Sequence, residues 1–182
     1  MVPAPLLDPI LTHMCAAVLA IIFIGGAWHK LRDREAFAMA VEQYRLVPES
    51  WAGALAWALP LWELAAGGLL LLTATREVGA LLALALLLVV TAAVTVNLLR
   101  GRSHIDCGCG GPEGGQHLSW ALVARNLLLA VLVPASVAME GSRQLVWLDG
   151  LTVVTGALGF YGLYAVANQL MANHPRLMKL RS

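Results

Sequence analysis

Charge is scarce in this chain of 182 residues: Asp, Glu, Lys and Arg make up 13% of it, and 59% is hydrophobic. A soluble globular domain carries about 25% charged residues, so the composition excludes that class and specifies an integral membrane protein. The remaining charge nearly cancels, at a formal +1. No basic patch is dense enough to release many counterions from a nucleic acid, which excludes that partner as well. The chain also shows no internal repeat, no low-complexity tail and no second domain, and residues 1–182 read as one transmembrane helical domain. Its first apolar stretch has neither a basic leading region nor a small-residue cleavage site, and reads as a retained span, not a signal peptide.

Five segments approach the roughly 20 residues a helix needs to cross about 30 Å of hydrocarbon. They cover residues 10–28, 51–73, 78–99, 118–138 and 148–171. The expected fold is therefore an all-α bundle of about five transmembrane helices. The last is the weakest, because Gly150, Gly156, Gly159 and Gly162 dilute it; their helical spacing either admits a neighbouring helix or reflects ordinary glycine use in membranes. The connection from His29 to Ser50 contains Arg34, Glu35, Phe37, Met39, Val41, Glu42 and Tyr44, a mixture suited to a short helix lying at the interface, with packing over the cysteine loop as a second placement. Basic residues cluster on one side: Lys30, Arg32, Arg34, Arg45, Arg100, Arg102, Arg176, Lys179 and Arg181, against Arg76 and Arg143 opposite. The positive-inside rule then places the face bearing the 100–117 loop in the cytoplasm.

Cysteine is rare too, at three residues, and two of them stand together in His104-Ile105-Asp106-Cys107-Gly108-Cys109-Gly110-Gly111-Pro112. Thiols two apart on a glycine-rich backbone can form a small, strained disulfide. Strained disulfides have higher reduction potentials and exchange readily, so the pair suits electron transfer better than scaffolding. No second pair exists to shuttle electrons to it, which means a partner protein must bring thiols. Asp106 is able to modulate their ionisation, but a neighbouring carboxylate opposes thiolate formation, so activation comes from a helix terminus, His104 or a basic residue. Cys15, inside the first span, reads as a small buried apolar residue.

Ionisable residues inside apolar spans are costly unless paired or facing water. Glu63 lies about 18 Å into the second span and Arg125 about 10 Å into the fourth, counting about 1.5 Å per residue from the loop face. The side chains of an arginine and a glutamate can close that gap, and Lys30 is placed to join them. With Asn126 and Asp106, these residues make a candidate polar network beneath the cysteines; the alternative is an ion pair that only fixes helix packing. Trp28, Trp51, Trp120 and Trp147 fall at span ends as interfacial anchors. Trp57 and Trp62 lie deeper and either line a flat pocket for a quinone ring or pack the core.

The runs Ile105-Asp106-Cys107-Gly108-Cys109-Gly110, Leu118-Ser119-Trp120, Arg125-Asn126-Leu127, Gly25-Gly26, Lys30-Leu31 and Pro60-Leu61-Trp62-Glu63-Leu64 together resemble the methylamine utilisation protein MauE family and its DoxX-like relatives. The resemblance implies a small helical bundle in the bacterial inner membrane. It further implies a role, with a thioredoxin-like MauD partner, in forming the disulfides of the methylamine dehydrogenase small subunit. More loosely, the loop ahead of the fourth span is similar to that of vitamin K epoxide reductase, implying a shared four-helix core and electron transfer to a quinone, although the spacing here is CxC and not CxxC. Disulfide formation for an exported enzyme belongs outside the cytoplasm, whereas the charge count puts Cys107 and Cys109 inside. Both expectations stand.

Three functions follow. The first is a thiol–disulfide oxidoreductase in which a partner thiolate attacks the Cys107–Cys109 disulfide and a second thiol resolves the mixed disulfide. The second is a metal-handling protein using His104, Cys107, Cys109 and His117; no metal is favoured. The third is a non-enzymatic assembly factor.

Overall fold

The computed structural model describes residues 7–108, 116–138 and 145–181, with the side chains of the last helix described as far as residue 173. Helix α1, Pro9–Arg32, starts where Asp8 caps it: Oδ1 accepts from the Ile10 amide at 2.9 Å, and Pro9 takes the first position, where no amide hydrogen is needed. His29, Lys30 and Arg32 fill its last turn, complementing the negative end of the helix dipole. The chain turns at once. Asp33 closes α1 and caps α2, Arg34–Tyr44, accepting from the Ala36 amide at 3.1 Å. Arg45, in the left-handed region at φ 48°, ends α2. A turn of 3-10 helix at Glu49–Trp51 leads into α3, Ala52–Leu71, and a second at Thr73–Thr75 forms the hairpin to α4, Arg76–Leu99.

After the cysteine loop come α5, Trp120–Ser136, and α6, Trp147–Arg181. Among the described residues four helices are long and apolar enough to cross a membrane: Pro9–Arg32, Glu49–Leu71, Thr73–Leu99 and Trp147–Asn173. The fourth expected span is instead a shorter apolar helix of 17 residues, about 25 Å long. The protein is an all-α membrane protein, and among the described residues the weakest span of the sequence is one of the four long ones.

Helix α1 is the hub, packed against α3, α5 and α6, while α4 lies between α3 and α5. Lipid removes most of the hydrophobic drive between helices, so close approach of small side chains matters more. Ala20, Ala66, Ala80 and Ala83 are buried among Leu19, Phe23, Leu70, Leu86 and Leu87 in the main core. Of the four glycines noted in the last span, Gly156 alone abuts another helix: a methyl group there would sit 2.5 Å from Met14 Sδ of α1. Gly150, Gly159 and Gly162 face open space, which on α6 is the apolar exterior carrying Leu158, Phe160 and Leu163. Trp28, Trp51, Trp120 and Trp147 are exposed at helix ends.

A second, smaller core holds the loop to the bundle. Val94, Ile105, Cys107, Leu118 and Leu122 are buried together, with Tyr44 and Leu98 against them.

Candidate functional site

The described stretches on either side of the cysteine motif are pinned to each other by backbone hydrogen bonds. Ile105–Cys107 runs antiparallel to Gln116–Leu118, with the Cys107 amide donating to the Gln116 carbonyl at 2.9 Å and the Leu118 amide to the Ile105 carbonyl at 3.1 Å. Asp106 Oδ1 accepts from the Gly108 amide at 2.9 Å, an Asx turn that lets the chain reverse. Gly108 adopts φ +68°, which a side chain would strain.

Helix α2 forms a roof over this turn. A methyl group at Gly108 would lie 3.1 Å from two Phe37 ring carbons and 3.3 Å from Ala40, and the Tyr44 hydroxyl donates to the Cys107 carbonyl at 3.1 Å. Arg102 ties the far end of α2 to α4 through the Gln43 carbonyl at 2.9 Å, the Tyr44 carbonyl at 3.2 Å and Asn97 Oδ1 at 3.3 Å. Cys107 is consequently 6% exposed. Its partner in the motif, Cys109, lies outside the described residues.

Beneath the roof is a cavity of about 80 Å³, lined by residues of α1, α3, α4, α5 and α6. Lys30 and Glu63 form an ion pair on its wall. Arg125, Asn126 and Tyr164 also line it. Arg125 Nη1 donates to Asn168 Oδ1 at 2.7 Å, Nη2 to Asn126 Oδ1 at 3.0 Å, and the guanidinium lies 5.9 Å from the Tyr164 ring centre. Two links join cavity and loop. Lys30 Nζ lies 5.4 Å from the centre of the Phe37 ring that packs on Gly108. The other is polar: Cys107 Sγ donates to Gln116 Oε1 at 3.8 Å, Gln116 Nε2 to Asn168 Oδ1 at 3.5 Å, and Asn168 meets Arg125.

Lys30, Glu63, Arg125 and Asn126 therefore share one cavity, while Asp106 shapes the loop above. The tryptophans are placed elsewhere. Trp57 is 49% exposed on the outside of α3, under the Arg34 guanidinium at 4.3 Å. Trp62 packs between α3 and α4, its Nε1 donating to the Leu82 carbonyl at 3.1 Å, and neither lines the cavity. His104 and His117 are exposed, and among the described residues no three His, Cys, Asp or Glu side chains gather in a metal-binding arrangement. Sequence reasoning missed Gln116, Tyr164 and Asn168. The available signal was an amide, Asn168, inside an apolar span, where a polar side chain needs a partner on another helix.

The model of the family described as methylamine utilisation protein MauE matches residues 8–139. Curated relatives carrying the same description include one from Paracoccus denitrificans, 39% identical over 130 residues that make up 71% of this chain and 70% of the relative. Another, from Paracoccus versutus, is 36% identical over 172 residues, 92% of each chain. A third, from Methylophilus methylotrophus, is 32% identical over 171 residues, 92% of this chain and 89% of its own. No solved structure matches.

Proposed function

This chain belongs to the methylamine utilisation protein MauE family, and on that premise we propose that it is a membrane thiol–disulfide relay serving methylamine utilisation. The observation that carries the reading is the setting of Cys107: a thiol held in a backbone-pinned turn, roofed by α2 and joined through amides to a buried charged cavity. A cysteine that only filled space would need neither the Asx turn nor the polar chain.

In the relay, a thiolate of a thioredoxin-like partner of the MauD type attacks the Cys107–Cys109 disulfide, forming a mixed disulfide and releasing one loop sulfur. The partner's second thiol then attacks its own sulfur in the mixed disulfide, so that one S–S bond breaks here, one forms on the partner, and two hydrogens pass to the loop. The partner in turn oxidises an exported client, the methylamine dehydrogenase small subunit, and the relay operates in the bacterial inner membrane. Cys107 lies beneath α2, so an incoming thiolate reaches that sulfur only when the roof lifts; Cys109 is the other point of entry.

The same reading names a quinone as the acceptor that reoxidises the pair. At about 80 Å³ the cavity is smaller than the ~150 Å³ apolar cavity that admits benzene in an engineered protein. As folded, the cavity does not admit a quinone ring. The test of the relay is capture of the mixed disulfide: Cys107→Ser and Cys109→Ser, each mixed in membranes with a thioredoxin-like protein that lacks its resolving cysteine and carries a thionitrobenzoate leaving group on the remaining one, should differ, one displacing thionitrobenzoate and trapping the partner through the surviving loop thiol. Capture by neither would overturn the proposal.

A further inference from the structure

The geometry points to Asn168 as a positioning residue that biases the Cys107–Cys109 pair toward its dithiol form, making the chain an acceptor of electrons from partner thiols. This inference rests on the relay reading. It starts from the inventory of donors and acceptors. A guanidinium carries donors only, so Arg125, at 2.7 Å, requires Asn168 to present its oxygen. The same oxygen faces Gln116 at 3.5 Å, and Gln116 must therefore turn its NH2 toward Asn168. That leaves the Gln116 oxygen pointing at Cys107 Sγ, 3.8 Å away.

A thiol answers that oxygen with its S–H. A disulfide sulfur has no hydrogen to give, so oxidation takes this donor from Gln116 in a site where Gln116 is 4% and Cys107 6% exposed. Removing one partner of a buried hydrogen bond costs more than making the bond gains. Gln116 has no easy escape, because turning its amide over would set its oxygen against the oxygen that Arg125 holds in place. The dithiol is favoured over the disulfide, and a dithiol pair whose reduced form is stabilised is an oxidant. Electrons then flow from partner thiols into the loop: two hydrogens and two electrons leave the partner as its disulfide forms, and the loop disulfide is reduced. Gln116 is buried against Cys107, and Asn168 meets Gln116 and Arg125, so each acts through Cys107.

The test is the redox equilibrium of the full-length protein in detergent, carrying Cys15→Ser, against mixtures of reduced and oxidised glutathione, read by alkylation of free thiols. Asn168→Leu frees the Gln116 amide to turn, and Gln116→Leu removes the oxygen; each should make the loop disulfide about fivefold harder to reduce. Asn168→Asp still presents oxygen to both neighbours and should leave the equilibrium at the wild-type value. Identical equilibria in all variants would overturn the inference while leaving the relay standing. So would equal shifts in Asn168→Asp and Asn168→Leu, since these would report packing alone. A wild-type loop that forms no disulfide in any mixture would overturn the relay itself.

Discussion

Lys30, in the last turn of α1, and Glu63, midway along α3, form an ion pair inside the bundle. The pair lies on the wall of the cavity that Arg125 also lines, and Lys30 reaches past it to the Phe37 ring under the roof of the cysteine loop. A charge pair taken out of water is expensive, and its removal one partner at a time exposes that cost.

Lys30→Met or Glu63→Leu alone should therefore destabilise the protein by about 3–5 kcal/mol, while the double variant Lys30→Met/Glu63→Leu should cost much less. Unfolding in mixed detergent, followed by near-UV circular dichroism, provides the measurement. Additive losses in the double variant would show that the pair is not the energetic unit.

The roof should control access to the thiol. Phe37→Ala removes the ring stacked on Gly108 and should raise the rate at which a membrane-impermeant maleimide modifies Cys107 at least tenfold, with Cys15 and Cys109 replaced by Ser. An unchanged rate would mean that α2 does not gate the sulfur.

Gly156 should be sensitive to size. A side chain there meets Met14 at once, so Gly156→Val is expected to cost about 1–3 kcal/mol by overpacking, and Met14→Ala in the same chain should recover much of it. Thermal unfolding of the three proteins decides; a loss that Met14→Ala fails to relieve would place the clash elsewhere.

The helices were legible in the sequence because each span carries its own signal. The expected span at 10–28 is the apolar body of Pro9–Arg32, and the short helix expected between His29 and Ser50 is Arg34–Tyr44, which takes the second of its two expected placements and lies over the loop. The short α5 was less legible, since its flanks Leu118 and Ser119 are apolar or small but belong to the pinned loop. Depth along a helix put Glu63 and Arg125 in one half of the bundle, but depth says nothing of azimuth. Which cation meets Glu63 depends on α1 packing against α3, a tertiary fact that set Lys30 beside it. Azimuth also decided the tryptophans: Trp57 and Trp62 are five residues apart, and the helix turns one outward and the other toward α4. Asn168 escaped notice because a lone amide carries no charge, and its partners Arg125 and Gln116 come from distant parts of the chain.

The central claim is that Cys107 and Cys109 exchange disulfides with a partner, and it is tested most directly by following electrons between purified proteins. The reduced thioredoxin-like partner is mixed with the oxidised full-length chain in detergent, and the thiols of both are counted by alkylation and mass spectrometry over time. The account predicts that partner thiols disappear as an equal number appears on Cys107 and Cys109, and that Cys107→Ser abolishes the exchange. Transfer at the wild-type rate in Cys107→Ser, or partner thiols that persist while the loop disulfide stays intact, would contradict it.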